Sequence, residues 1–210
     1  AEELKLVVNL TADGTALKGS FTFSTVKYAE KLLATAGIST AEQTLAKDML
    51  AYINSAYVFF NGSAVAEITA LLDGYTSTTV IDVANAKKTV PGLSGATFTL
   101  EAKPTVQFFF AEGFDYDDFT FKVGSRTLTV ADVEEKTDEY VKFALFAYEM
   151  TETFSYTVGD ESGEYNLIAY YAYASGTGVN DYKGEDKAAL TDLAAKFYNY
   201  CLSAKAYRNS

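Results

Sequence analysis

The chain has 210 residues, 49% of them hydrophobic, and a formal charge of −11, so it carries apolar material for a core of its own and no run of Lys or Arg that would suit nucleic acid. No histidine and a single cysteine, Cys201, exclude Ser-His and Cys-His nucleophiles, most zinc sites and an internal disulfide. No apolar run reaches about 18 residues and Ala1 starts without a basic or hydrophobic leader, so no membrane insertion is expected and the chain reads as a soluble piece, mature or trimmed.

Leu4 to Leu10 and Ser20 to Ser24 alternate around a turn at Gly14 and predict two strands, with Val7, Phe21 and Phe23 as inward candidates. Val26 to Thr35 predicts a helix stopped by Gly37. Ser39 and Glu42 have the spacing of a capping box and open a second helix, which ends at Asn61-Gly62. Its face Leu45, Met49, Ile53, Ala56 and Phe59 recurs at helical steps, so it should be buried. Val65, Ile68, Leu71 and Leu72 predict a third helix ending at Gly74, and Thr76 to Pro91 reads as a junction.

From Ala96 the apolar period becomes two. Phe98 and Leu100, then Val106, Phe108 and Phe110, then Phe119, Phe121 and Val123, then Leu128 and Val130 mark strands, and Gly124-Ser125 fits a two-residue hairpin turn. Val141 to Met150, Thr153 to Val158 and Glu164 to Ile168 add more. About seven short antiparallel strands predict a sandwich of immunoglobulin or fibronectin type, although no Cys or Trp marks its core.

The last part of the chain repeats the first. Leu193, Phe197, Cys201, Ala204 and Tyr207 align with the face of the second helix, placing Tyr52 on Tyr200, and Ala169 to Ala172 aligns with Val26 to Ala29. The offset grows from 143 (Tyr28 to Tyr171) to 148 (Tyr52 to Tyr200), which puts extra residues in Ser175 to Glu185. The expected fold is α+β, an immunoglobulin/fibronectin-like antiparallel sandwich flanked by two repeated helical lobes. Residues 1–92 form the first repeat unit, 93–168 the central sandwich and 169–210 the second helical lobe. Cys201, opposite Ile53 on the repeated stripe, reads as a small core residue.

Asp115, Asp117 and Asp118 admit a glycosidase pair or a calcium loop, but the favoured reading is a solvated acidic turn, and neither metal nor cofactor is expected. Gly176 to Gly178 reads as a connector and not a phosphate loop. Asn9-Leu10-Thr11 and Asn61-Gly62-Ser63 match glycosylation acceptors and are expected to be bare in a bacterial protein. Of 16 Tyr and 15 Phe, most must be core. Tyr182 stands apart in the inserted connector beside Asn180, Asp181 and Lys183, and Phe114 and Tyr116 stand in the acidic turn. A sugar offers an apolar CH face and a hydroxyl rim, so a flat ring edged by such polar groups is a candidate receptor.

Asp48 to Tyr52 with Ala56, Phe59 and Phe60, Lys196 to Tyr200 with Ala204 to Tyr207, and Leu93 to Leu100 before Val106 to Phe108 resemble a module of secreted proteins of anaerobic gut bacteria, a sandwich followed by a helical cluster. Among proteins of this build, the functional analogy is to the starch-binding modules of starch-adherence proteins in cell-surface amylosomes. Their sugar site lies where sandwich meets helices, or between two lobes. The resemblance implies a secreted or cell-surface, non-catalytic binder of α-glucan polysaccharide or maltooligosaccharide, monomeric, beside neighbouring domains of a larger surface protein. The alternative is a structural or protein-interaction spacer without its own ligand. A carboxylate-dependent glycoside hydrolase is a third reading.

Overall fold

The computed structural model describes residues 4–12, 15–77, 79–100, 104–177 and 182–210. Strands β1 (Leu4–Ala12) and β2 (Thr15–Phe23) form an antiparallel hairpin that is a two-stranded sheet of its own. Its register pairs Leu4 with Phe23 and Leu6 with Phe21 but Val7 with Ser20. The side chains of Val7, Phe21 and Phe23, the inward candidates, lie outside what the structure describes. Gly14 lies outside the described residues.

Helix α1 (Thr25–Ala34) starts where the Ser24 hydroxyl accepts the Lys27 N–H at 3.1 Å. Helix α2 (Thr40–Asn61) opens with the expected capping box, in which Ser39 Oγ accepts from Glu42 N and Glu42 Oε2 accepts from Ser39 N at 2.8 Å. It closes at Gly62, whose φ of 75° is the left-handed conformation that favours glycine. Helix α3 (Ala66–Leu71), a 3-10 turn at Val83–Asn85 and the short strand β3 (Lys88–Thr89) follow.

Eight further strands build the central region: β4 (Gly95–Leu100), β5 (Pro104–Phe109), β6 (Thr120–Val123), β7 (Arg126–Thr129), β8 (Glu135–Lys136), β9 (Tyr140–Ala144), β10 (Phe154–Val158) and β11 (Glu161–Tyr165). They form two antiparallel sheets, ordered β3-β11-β10-β6-β7 and β4-β5-β9-β8. The sheets meet through rings from alternate positions. Phe108 and Phe143 of one sheet lie 5.1 Å from Phe121 of the other, and Phe98 lies 5.8 Å from Phe154. Gly124-Ser125 makes the two-residue turn, since Val123 pairs with Arg126.

Two of the strand boundaries that differ from the sequence reading have a hydrogen-bonding reason. The strand expected over Val141 to Met150 stops at Ala144. A 3-10 turn at Ala147–Glu149 takes over because buried Glu149 accepts the Phe146 N–H at 2.9 Å and the Arg126 guanidinium at 2.7 Å. The strand expected over Glu164 to Ile168 ends at Tyr165, because buried Asn166 caps helix α4 (Leu167–Ser175). Its Oδ1 accepts from Ala169 N and Lys87 N, both at 3.0 Å, and its Nδ2 donates to Asn85 O at 2.9 Å. One amide thus fastens the end of β11, the start of α4 and the segment before β3.

Helix α5 (Lys187–Arg208) runs antiparallel to α2. Ser55 donates to Asp192 at 2.6 Å, and two turns earlier on α2 Asp48 faces Ser203. Between these points the Tyr52 ring lies 5.0 Å from Phe197 and stacks on Tyr200 at 5.9 Å with an interplanar angle of 1°. Leu193, Phe197 and Cys201 are buried as expected, but Tyr207 is 45% exposed. In α2 the most buried apolar positions are Ala46, Leu50 and Ala51. The expected stripe is only half-buried because α2 serves three neighbours: Met49 and Ile53 pack with α1 and α3, Tyr52 with the central core, and Phe59 with Ala174, Leu190 and Ala194. Leu193→Ala should therefore cost about 2 to 5 kcal/mol through a residual cavity. Tyr207→Ala should stay within about 0.5 kcal/mol. Urea unfolding of the two variants checks the ordering.

Candidate functional site

The segment between β5 and β6 folds back on itself. Phe114 N donates to Ala111 O at 3.1 Å, the Asp115 carboxylate accepts from Asp117 N at 3.0 Å, and Phe119 N donates to Tyr116 O at 3.0 Å. Such side-chain-to-backbone bonds make a stable turn out of a polar sequence. The β8–β9 turn comes alongside because Phe110 N donates to Glu139 O at 2.8 Å. Between the two turns opens a cleft of about 870 Å³, floored by Phe109, Phe110, Phe114 and Tyr116 and rimmed by Ser94, Lys136 and acidic side chains.

Phe110 carries the floor. Tyr116 stacks on it at 4.3 Å and Phe114 at 5.8 Å, with interplanar angles of 16° and 12°. Phe114 remains 36% exposed, whereas Tyr116 is only 7% exposed. The sequence put Tyr116 beyond the reach of a core; the structure buries it, because its hydroxyl donates to the Thr137 carbonyl and its ring fills the space beside Phe110. Lys136 Nζ sits 5.0 Å from the Tyr116 ring centre and donates to Asp117 at 2.8 Å. That bond to Asp117 raises the Lys136 pKa, so the ammonium stays charged through neutral pH.

Glu112, Asp115, Asp117, Asp138 and Glu139 line the cleft with Lys136 as the cation among them. Asp118 instead turns out of it and accepts the Gly159 N–H at 2.9 Å. Among the described residues no three carboxylate or thiol groups converge as metal ligands would. The cleft offers the partly exposed Phe114 ring with hydroxyl acceptors and an ammonium donor near it, an arrangement able to hold a polyhydroxylated ring.

Tyr182 lies elsewhere, against the end of the helical part. Its N–H donates to Tyr173 O at 3.0 Å, its hydroxyl donates to Asp186 at 2.7 Å, and its ring meets Tyr173 edge-on at 5.9 Å. It covers the apolar cluster of Ala174, Leu190 and Ala194, and a side chain at Gly184 would collide with it. Lys183 is exposed beside it. Asn180 and Asp181 lie outside the described residues. Phe114 and Tyr116 are thus brought together, while Tyr182 and Lys183 form a separate place. Lys136 and Phe110 were not singled out by the sequence, since a lysine in a two-residue strand and the last ring of an alternating run carry no local mark.

The cleft also stands away from the helices. β5 runs from Pro104, which accepts the Leu145 N–H next to the 3-10 turn that meets α5, to Phe109 at the cleft. No family model, curated protein or solved structure matches the chain. Among the described residues no helix is long and apolar enough to cross a membrane.

Phe110→Ala should cost about 3 to 5 kcal/mol, because it removes the base of the stack. Phe114→Ala should cost under about 1 kcal/mol, since the ring is partly in solvent. Thermal melts followed by circular dichroism separate the two.

Proposed function

We propose that the chain is a non-catalytic carbohydrate-binding module for α-glucan, starch or maltooligosaccharide, carried as a monomeric unit of a secreted or cell-surface protein beside other domains. The observation that carries this reading is the partly exposed Phe114 ring stacked on Phe110, bordered by carboxylates and Lys136 within one cleft. A preorganised ring loses little side-chain freedom on binding. Burying roughly 100 Å² of sugar CH surface gains about 2.5 kcal/mol. One such platform alone corresponds to a dissociation constant on the order of 10 mM, and hydrogen bonds at the rim with avidity from tandem modules would supply the rest. The narrowing to α-glucan comes from the resemblance to starch-adherence modules, although their site lies nearer the helices than this cleft does.

Two features support the finer fold reading. The strand orders β4-β5-β9 and β11-β10-β6-β7 are those expected of a fibronectin-type sandwich, with β8 and β3 added at the edges. A repeated helical unit is supported because each hairpin ends one residue before a side-chain-capped helix, at Phe23 before Ser24 and Tyr165 before Asn166. The later helices, α2 and α5, are each 22 residues long. The acidic side chains of the cleft favour binding over hydrolysis, since Asp115 holds the turn and Asp117 is paired with Lys136.

The spacer reading draws on a different observation. Tyr116 is buried and Tyr182 is bonded at both its N–H and its hydroxyl, which leaves Phe114 as the one open ring among the three named tyrosine and phenylalanine candidates. Affinity electrophoresis in amylopectin, with calorimetry against maltoheptaose, decides between the two. Retarded migration that Phe114→Ala abolishes with its circular dichroism unchanged is the expected result. Unretarded wild-type protein would leave the spacer reading standing.

A further inference from the structure

The seam between α2 and α5 encloses a carboxylate. Asp48 is 4% exposed on α2, yet it is held by groups from outside its own helix. The Tyr75 hydroxyl, from the segment after α3, donates to it at 2.7 Å, and Ser203 and Lys196 face it from α5. Lys47 on α2 stands over the Tyr75 ring at 5.2 Å, and one end of the same seam is occupied by Asp192 bonded to Ser55 at 2.6 Å. The half-buried Tyr52 and Tyr200 phenols lie farther along it.

We infer that Asp48 makes the α2–α5 seam a proton-linked latch, closed most tightly when its carboxyl is neutral and loosened when it ionises. Removal of the group from water raises its pKa above the ordinary aspartate value, and this outweighs the opposing effects of Tyr75, Ser203 and Lys196. The sign follows from linkage. A group whose folded-state pKa is raised contributes stability that is present below its unfolded pKa and is lost as pH rises through the folded one. The loss falls on the contact between the helices of the first and last parts of the chain. Opening there has a native reporter, since Cys201 is fully buried and lies close enough to Tyr52 and Tyr200 to act on both phenols.

The test is the rate at which 4,4′-dithiodipyridine labels Cys201 in folded protein, divided at each pH by the rate for the urea-unfolded chain. That ratio should rise threefold or more between about pH 4 and about pH 8 in wild type relative to Asp48→Asn, because one proton of linkage is worth up to about tenfold per pH unit. Tyr75→Phe, which removes a donor to the carboxylate, should move the midpoint of the rise to higher pH. If Asp48→Asn does not fold, Lys196→Met carries the comparison, since loss of the ammonium should move the midpoint in the same direction. Wild-type and variant ratios that run parallel across this range would overturn the latch.

Discussion

The antiparallel contact of α2 with α5 is the constraint on which the arrangement of the other helices depends. It joins residues far apart in sequence, Tyr52 to Tyr200 and Ser55 to Asp192. Stacked rings of this kind contribute about 0.5 to 1.5 kcal/mol beyond the area they bury. Their larger effect is positional. Tyr52 reaches the central core while Met49 and Ile53, on the adjoining face, hold α1 and α3, so one helix sets the place of two smaller ones. α5 in turn brings Phe197 and Cys201 into the core of the central sheets and carries Lys205 to Glu152 at 2.7 Å.

That helix pair is not a purely apolar joint. Asp48, Ser55 and Ser203 are buried where leucines would pack, and each polar group costs stability unless it finds a partner. Tyr75 and Asp192 supply partners from outside α2. The polar positions favour one register of the two helices over its neighbours, because a slide by one turn would strand a carboxylate against a hydrocarbon surface.

The two central sheets meet their packing demand differently. Phe108 touches Phe119, Phe121, Phe143 and Tyr156, and this ring cluster fills the space between the sheets without tryptophan or a disulfide. Phe110 continues the alternation of β5 past the strand end and becomes the base for Phe114 and Tyr116. The cleft is therefore anchored to the core through one ring, while its rim residues are on turns where substitution does not disturb packing.

What the sequence by itself determined was whatever depends on nearest neighbours along the chain. The Ser39 capping box, the Gly62 terminus, the Gly124-Ser125 turn and the period-two strands are all short-range and legible for that reason. Phe114 and Tyr116 were legible as a pair of rings in a polar turn, and Asn180 and Asp181, named with them, fall outside the described residues. Tertiary structure decided the rest. The partial exposure of the α2 stripe follows from three competing neighbours, and the burial of Tyr116 follows from a carbonyl that β9 pairing brings within reach of its hydroxyl. Tyr182 became a cover over Ala174 and Leu190 because α4 and α5 leave an apolar gap there. Periodicity reports which residues avoid water, but it carries no information on which element will exclude the water, and that second fact assigned each of these side chains its role.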